Sequence, residues 1–194
     1  MEGFEELRLN EEHVLYKRHY PAERMPTKEE FAALWTLHPP SFPTLTIHGR
    51  SVQAPRWQQA YGVDYVFSGQ TNHAQPIPDL LLPYLRWCQE HIAPELNGLL
   101  LNWYDGAQGH YIGKHRDSNH QRVPNSHIVT LSLGEERTLR MRPWRQKGFT
   151  DFAAENGSIF VIPWNTNLAW THEIPASRRT SRRRISLTFR AFER

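Results

Sequence analysis

Hydrophobic and polar positions follow helical spacing in two parts of the first half of this 194-residue chain. The run FAALW is preceded by Thr27 and Glu30, whose spacing is that of a capping box and predicts the start of a helix. Pro39 and Pro40 end that pattern. A second helix is predicted from residue 78 to about residue 93, because one of its faces collects four apolar side chains, those of Leu81, Leu85, Cys88 and Ile92.

The second half of the chain changes to short apolar runs separated by turn residues, a pattern typical of a β-sandwich or jelly roll. The predicted strands are LLLNWY, HYIGKH, HIVTLSLG, RTLRMRP, GSIFVIP, NLAWTHEI and RRISLTFRAF. Before them, one strand is predicted over residues 14–19 and two more between residues 44 and 68, around a turn at His48–Gly49–Arg50. We therefore predict one α+β domain, a double-stranded β-helix (jelly roll) with supporting N-terminal helices.

Composition and charge restrict the class of protein further. The single cysteine, Cys88, excludes an internal disulfide and fits a reducing compartment. The sequence shows no secretory signal and no apolar run of about 18 residues, which predicts a soluble intracellular protein with no membrane partner. The formal charge is +3 and the pI about 9.2, and the basic excess is concentrated in Arg178, Arg179, Arg182, Arg183 and Arg184. That segment is either a solvated loop or a patch that faces phosphates.

The segment YIGKHRDSN carries the first candidate chemistry. In an extended strand, side chains two residues apart share a face, so His115 and Asp117 are expected side by side. His172 lies 55 residues beyond Asp117, at the end of another predicted strand. Two histidines and one carboxylate form a facial triad that leaves positions open on Fe(II). Zinc hydrolases use the same ligand types, so the triad alone leaves the chemistry open.

The segment RRISLTFR favours one of these alternatives. Arg184 and Arg190 are six residues apart on one predicted strand and therefore share a face. A cation on an inner wall is costly unless it meets an anion. A guanidinium binds a carboxylate through two parallel hydrogen bonds, so a dicarboxylate co-substrate would explain both arginines. A zinc hydrolase has no need of such a pair.

These motifs together resemble the AlkB family of Fe(II)/2-oxoglutarate dioxygenases, from about residue 44 to the C-terminus. The residues that carry the resemblance are Asn102 and Tyr104 of an N-x-Y motif, His115, Asp117, His172, Arg184 and Arg190. The resemblance implies Fe(II) and 2-oxoglutarate as cofactors, with dioxygen as co-substrate. It also implies that Asn102 and Tyr104 contact 2-oxoglutarate. Arg184 would bind the distal carboxylate of 2-oxoglutarate, and Arg190 would lie at the metal end of the site.

Further upstream, PRWQQAYG and DYVFSG resemble the branch of the family that repairs duplex DNA. The resemblance implies that Arg56, Tyr65 and Phe67 line the substrate pocket, with Phe67 stacked on a flipped base. Strand alternation explains Tyr65 and Phe67 equally well as core residues. The turn at His48 corresponds to a short wedge hairpin that fills the gap left by the extruded base, where bulky apolar residues are usual.

One departure concerns the residues that read the substrate. Ser118 and Asn119 stand where family members that repair alkylation damage usually carry acidic residues, which favour a cationic base. An asparagine still hydrogen-bonds a base edge but brings no charge. The resemblance therefore implies oxidative dealkylation of N-alkylated bases in nucleic acid, most simply direct DNA repair. It leaves open the same chemistry on RNA, on a neutral base lesion, or on a protein or small-molecule substrate.

The resemblance also suggests how the single domain, residues 1–194, is divided. Residues 1–95 would form an N-terminal extension and nucleotide-recognition part, and residues 96–194 the catalytic β-helix core. We expect a monomer that is cytoplasmic, or nuclear if the organism is eukaryotic. A non-enzymatic β-barrel binding module with incidental histidines is the remaining alternative.

Overall fold

The computed structural model describes residues 1–47, 50–67 and 70–193. The predicted turn residues His48 and Gly49 lie outside the described residues. Within them the chain forms three α-helices, α1 Lys28–Thr36, α2 Leu82–His91 and α3 Trp164–Ala169. The strands of the first half are β1 Glu5–Arg8, β2 Val14–His19, β3 Thr44–Ile47, β4 Arg50–Gln53, β5 Trp57–Tyr61, β6 Tyr65–Phe67 and β7 Gln70–Asn72. Those of the second half are β8 Gly98–Asp105, β9 Ile112–His115, β10 Ile128–Gly134, β11 Arg137–Pro143, β12 Thr150–Ala154, β13 Ser158–Ile162, β14 Trp170–Ile174 and β15 Arg183–Arg190.

Two antiparallel sheets form the body of the fold. The larger has seven strands in the order β1-β2-β13-β10-β15-β8-β5, and the smaller has four in the order β12-β11-β14-β9. Apolar side chains from both sheets meet in one buried cluster that includes Ile128, Phe160, Met141 and Ile174. This arrangement confirms the predicted double-stranded β-helix. Two short hairpins, β3-β4 and β6-β7, stand beside it.

The period of two along the central strands separates a helix-covered face from a cavity-lining face of the larger sheet. Odd-numbered residues such as Leu101, Trp103 and Leu187 pack in a core cluster with Leu34 of α1 and Leu85 of α2. Even-numbered residues of β8, β10 and β15 line the cavity between the sheets, and they are Leu100, Asn102, Tyr104, Thr130, Ser132, Arg184, Ser186, Thr188 and Arg190. The polar residues of these strands are therefore gathered at one inner wall.

The predicted elements are largely present, with several differences. The segment 44–68, predicted as two strands, contains four among its described residues, β3 to β6, because further short turns interrupt it. The capping box of Thr27 and Glu30 opens α1 as expected. The second helix is shorter than predicted, because a 3-10 turn at Asp79–Leu81 precedes α2. The first residues of the predicted strand NLAWTHEI belong to α3 instead. The strands β1 and β12 were not predicted, since both are short and half exposed.

The N-terminal part contributes strands to the larger sheet. Strands β1, β2 and β5 come from before residue 95, and β8, β10, β13 and β15 from after it. The proposed division of the domain near residue 95 stays a prediction. In the described part of the chain, every helix is too short or too polar to cross a bilayer.

Candidate active site

The two predicted histidine ligands face each other across a strand pair. His115 at the end of β9 is the direct register partner of His172 in β14. Their ring centroids are 4.3 Å apart. The Nδ1 atom of His115 lies 2.9 Å from the carbonyl oxygen of Gly113. A proton on Nδ1 would donate to that oxygen and leave the Nε2 lone pair free for a metal.

Asp117 completes the cluster from outside the strand. The prediction that β9 would carry Asp117 is wrong, because the strand ends at His115. Asp117 is nevertheless 5% exposed, and its Oδ1 lies 3.7 Å from Nε2 of His115 and 3.8 Å from Nε2 of His172. One ligand atom from each residue lies within 4.8 Å of the others, so a single ion fits among the three.

A buried asparagine that the sequence analysis missed holds Asp117 in place. Asn167 of α3 accepts a hydrogen bond from the Asp117 backbone N–H at 3.0 Å. Its Nδ2 donates to the Asp117 backbone carbonyl at 3.1 Å. Both backbone groups of Asp117 are thereby satisfied by one side chain, which orients the carboxylate without a strand. The polar run WNTNL before His172 is the one sequence signal, and it names no particular residue.

The second carboxylate oxygen of Asp117 accepts hydrogen bonds from an arginine. Arg190 donates to Asp117 Oδ2 from Nε at 2.9 Å and from Nη2 at 2.6 Å. Tyr65 donates from Oη to Oδ1 at 3.3 Å, and its ring lies 4.5 Å from the Arg190 guanidinium carbon. Arg190 therefore lies beside the three candidate metal ligands, as the resemblance implies. Its hydrogen-bond partner there is Asp117, the candidate carboxylate ligand.

The protonation states suit a metal site. Burial raises the pKa of the Asp117 carboxyl, but the charges of Arg190, His172 and His115 outweigh it and hold the pKa well below its usual range. Burial, and then the neighbouring His172, lower the pKa of His115 to about 3. Burial also lowers the pKa of His172. At neutral pH the site presents two neutral imidazoles and one carboxylate, the forms that bind metal.

The predicted cofactor residues line the neighbouring wall of the cavity. Arg184 and Tyr104 are direct register partners, and the guanidinium carbon lies 5.0 Å from the Tyr104 ring centroid. Arg184 is 2% exposed and donates to Ser132 Oγ at 2.8 Å, whereas its Nε and Nη1 have no partner among the described residues. Burial lowers its pKa to about 10, so it stays protonated at neutral pH. A buried cation with free donors fits an incoming carboxylate.

Arg56, predicted at the substrate pocket, hydrogen-bonds two side chains of the inner cavity. It is 4% exposed and donates from Nε to Asn102 Oδ1 at 2.7 Å and from Nη2 to Gln58 Oε1 at 2.7 Å. It lines the inner cavity together with Tyr65, Phe67 and Asn102 and does not line the outer one, and its role toward the substrate stays a prediction. The oxygen of Asn102 is thus occupied, which leaves its amide nitrogen as the group available to a ligand.

The open side of the metal cluster holds most of the predicted substrate residues. Phe67 stands edge-on to His115 with ring centroids 5.7 Å apart, and lies parallel to Tyr65 at 6.3 Å. Ser118 and Asn119 line the outer cavity together with Phe67, Lys114, His115, Arg116, Asp117, Trp144, Asn167 and Leu168. Phe67 also lines the inner cavity, so it bridges the two. His48, the predicted wedge residue, lies outside the described residues.

A second functional candidate that sequence reasoning missed lies behind Asn119. Arg122 is 2% exposed, and it donates from Nη1 to Asn119 Oδ1 at 3.2 Å and from Nη2 to the Ser126 carbonyl at 2.8 Å. Its guanidinium carbon lies 5.0 Å from the Trp164 ring. Burial and the nearby Arg190 charge lower its pKa to about 10, which leaves it cationic at neutral pH. Arg122 sits in the polar run RDSNHQR, where nothing marks it as buried.

The basic segment before β15 is exposed. Arg178, Arg179, Arg182 and Arg183 all lie at the surface. By contrast, Arg137 of the RTLRMR strand is 3% exposed and donates to the His110 carbonyl at 2.8 Å. The arginines Arg140 and Arg142 pair with acidic neighbours on the same sheet. Within the segment 178–183, Arg182 lies 3.8 Å from Glu135 and Arg183 lies over the Trp35 ring, but all four arginines remain exposed.

Comparison with known proteins agrees with these motifs. A family model described as the 2OG-Fe(II) oxygenase superfamily matches residues 20–190. The chain is similar to DNA oxidative demethylase ALKBH2 of Homo sapiens, with 29% identity over 159 residues, 74% of this chain and 59% of that protein. For the Mus musculus ALKBH2 the values are 31% over 156 residues, 74% and 64%. The chain therefore spans about three fifths of the length of these relatives.

The solved structures extend the comparison to the fold. One titled "The structure of OsALKBH1" superposes with a TM-score of 0.62 at 12% identity, covering 97% of this chain and 99% of that one. A 2OG-Fe(II) oxygenase family oxidoreductase from Burkholderia pseudomallei superposes with a TM-score of 0.53 at 16% identity, covering 92% and 88%. These likenesses speak for the fold alone. The ALKBH2 relatives agree with the resemblance to the AlkB family, and the family match, which implies Fe(II) and 2-oxoglutarate, shows that the chain belongs to the 2OG-Fe(II) oxygenase superfamily.

Proposed function

We propose that this protein is an Fe(II)/2-oxoglutarate-dependent dioxygenase that removes alkyl groups from N-alkylated bases in DNA. The observation that carries the proposal is the juxtaposition of the three candidate ligands with a buried, incompletely paired guanidinium on the adjoining wall. A hydrolytic zinc site would need the ligands but not the guanidinium. The ALKBH2 relatives, named as DNA oxidative demethylases, support the choice of DNA.

His115, Asp117 and His172 would hold Fe(II) in this proposal. Asn102, Tyr104 and Arg184 would bind 2-oxoglutarate, the Arg184 guanidinium taking its distal carboxylate. Arg190 and Asn167 would keep the carboxylate ligand oriented. Bound Fe(II) and 2-oxoglutarate supply the oxidation, in which one oxygen atom of dioxygen goes to succinate as CO2 leaves and the other to the N-methyl carbon, which departs as formaldehyde.

The substrate base would enter from the outer cavity. A base inside a duplex must leave the stack before an enzyme reaches it, and an aromatic side chain commonly receives it. Phe67 lies at the boundary between the two cavities, edge-on to His115. The exposed arginines 178, 179, 182 and 183 would contact phosphates, which predicts salt-sensitive binding. A monomeric state and an intracellular location stay predictions from composition.

Product release under defined conditions tests the proposal. The protein is loaded anaerobically with Fe(II) and supplied with 2-oxoglutarate, ascorbate and air. Single- and double-stranded DNA oligonucleotides, and matched RNA oligonucleotides, carry 1-methyladenine, 3-methylcytosine or 3-methyluracil. Succinate and formaldehyde are both measured. We expect formaldehyde from at least one methylated strand, and loss of both products in His172→Ala.

The two products separate the alternatives. Succinate without formaldehyde from any methylated strand would keep the dioxygenase and reject the nucleobase substrate. Absence of succinate under every condition would reject the dioxygenase and favour a non-enzymatic binding module. Equal formaldehyde release from methylated RNA and DNA would contradict the preference for DNA.

A further inference from the structure

We propose that the outer cavity reads a neutral N-alkylated base through a carbonyl oxygen, with the side-chain amide of Asn119 as the donor. A cationic base that presents an amino group is disfavoured. This inference rests on the proposed function and narrows its substrate class. Three features of the described residues carry it: the orientation of one amide, the charges around the two cavities, and the hydrogen-bonding edges of methylated bases.

The orientation of the Asn119 amide follows from its neighbours. Arg122 Nη1 lies 3.2 Å from one terminal atom of the Asn119 side chain. A guanidinium has donors and no acceptor, so that atom is the carbonyl oxygen. Asn167 Nδ2 donates to the same oxygen at 3.3 Å. The oxygen of Asn167 is itself used by the Asp117 backbone N–H, so the Asn167 amide has only this orientation.

Both acceptor positions of the Asn119 oxygen are therefore occupied from inside the protein. The remaining polar atom is the Nδ2 amide nitrogen, which carries two hydrogens. Asn119 is exposed and lines the outer cavity beside Ser118 and Phe67. A ligand in that cavity consequently meets a donor at residue 119. An unconstrained asparagine would instead rotate to match either kind of partner.

The charges around the cavities also disfavour a cationic base. Of the described residues that line them, Asp117 is the one carboxylate, and Arg190 and the metal position already engage it. The cationic lining residues are Arg56, Lys114, Arg116, Arg184 and Arg190. Arg122 adds a buried cation directly behind Asn119. Because Fe(II) and 2-oxoglutarate carry opposite charges that cancel, a cationic base would enter a region with excess positive charge.

The methylated bases differ in charge and in the hydrogen-bonding group that they would present to Asn119. 3-Methylcytosine and 1-methyladenine are cations whose exocyclic amino groups donate hydrogen bonds, so a donor would face a donor. 3-Methyluracil is neutral and presents its O4 oxygen as an acceptor at the corresponding position. A polar group left without a partner is costly once a bound base covers it and excludes water, which is why sites built for one hydrogen-bonding pattern reject the opposite one.

Binding without turnover tests the inference directly. Two single-stranded oligonucleotides of identical sequence carry either 3-methyldeoxyuridine or 3-methyldeoxycytidine at the central position. Their binding to the protein with Fe(II) and 2-oxoglutarate is measured anaerobically by fluorescence anisotropy. We expect the uridine strand to bind at least about tenfold more tightly, equivalent to about 1.4 kcal/mol. Equal affinities, or tighter binding of the cytidine strand, would overturn the inference.

Three variants locate the effect. Asn119→Asp replaces the donor with acceptors and should move the affinity ratio about tenfold toward the cytidine strand. Arg122→Leu removes one of the two donors to the Asn119 oxygen, together with the buried cation behind it, and should shrink the wild-type preference several-fold. His120→Gln, an exposed neighbour outside both cavity linings, should leave the ratio within about twofold. A folded Asn119→Asp protein with an unchanged ratio would refute the role of the amide.

The same samples separate this inference from the proposed function. On admission of air, formaldehyde is measured from each strand. Preferential binding of the uridine strand without formaldehyde from either would count against the dealkylase and leave the base preference standing. Formaldehyde from both strands with equal affinity would keep the dealkylase and reject the preference.

Discussion

Replacement of Arg184 by methionine should stabilise the protein while it destroys the proposed 2-oxoglutarate site. Arg184 is 2% exposed, and its Nε and Nη1 have no partner among the described residues. Each buried donor left unpaired costs about 1–3 kcal/mol. The variant loses the bond to Ser132 and the contact with Tyr104, together worth about 1–3 kcal/mol. A net increase of about 1–3 kcal/mol in the free energy of unfolding is expected for Arg184→Met.

Urea denaturation with and without 2-oxoglutarate measures both effects in one experiment. Wild-type protein with metal should gain about 2.7 kcal/mol when 2-oxoglutarate is present at 100 times its dissociation constant. Arg184→Met should start from a higher stability and gain almost nothing from 2-oxoglutarate. A higher stability without ligand, together with a lost response to 2-oxoglutarate, distinguishes a binding residue from a structural one. Buried polar groups kept for ligands commonly reduce the stability of the free protein.

Arg137→Met is the matched control. Arg137 is also buried and lies near the same Tyr104 ring; its Nη1 has no partner among the described residues, but its Nη2 donates to the carbonyls of His110 and Pro175. Its replacement should cost about 1–3 kcal/mol, because two carbonyls lose their donor while a single unpaired donor is removed, and the 2-oxoglutarate response should remain. The reasoning on Arg184 is refuted if Arg184→Met unfolds at lower urea than wild type, or if 2-oxoglutarate stabilises it as strongly.

Three further predictions concern the metal cluster. Asn167→Ala should lower the free energy of unfolding by about 2–4 kcal/mol and the affinity for metal by about 10–100-fold. Asn165→Ala on the same helix should change neither. Equal losses in the two variants would contradict the role of Asn167 in positioning Asp117. Asp117→Ala should cost about 3–5 kcal/mol in urea denaturation, because it leaves Arg190 buried without its anion, and adding Arg190→Met should recover much of that loss. Because burial lowers the pKa of His115 to about 3, its neutral form favours the folded metal-free protein above the unfolded pKa of about 6.5; this residue alone should make stability fall by about 1.4 kcal/mol per pH unit below it, and the lowered pKa of His172 adds to the fall. Urea midpoints between pH 7 and pH 5 measure this slope, and a flat profile would count against it.

The sequence contained most of the local information about the site. Spacing of two and a downstream histidine identified His115, Asp117 and His172, and spacing of six placed Arg184 and Arg190 on one face. The shared face of Arg184 and Arg190 is present in β15, because side-chain direction along a strand follows backbone geometry alone. The same rule explains why the polar residues of β8, β10 and β15 share the inner wall.

Other features were decided by contacts between segments far apart in the chain. Asn167 reaches the backbone of Asp117 fifty residues earlier, so no local pattern distinguishes it from Asn165. Arg56, directly before β5, pairs with Asn102 of β8, and this contact between distant segments holds its guanidinium in the inner cavity. Asp117 lies past the end of β9 and depends on Asn167 where the sequence suggested a strand.

The residues of the outer cavity show the same division between what the sequence determines and what the fold determines. The sequence alone determined that two uncharged residues, Ser118 and Asn119, follow Asp117, where the resemblance to the AlkB family implies acidic ones. Only the tertiary structure decided which end of the Asn119 amide is offered to a substrate, because Arg122 and Asn167 occupy its oxygen. Residue identity determines which hydrogen bonds a side chain is able to make. The folded neighbours determine which of them are left for a ligand.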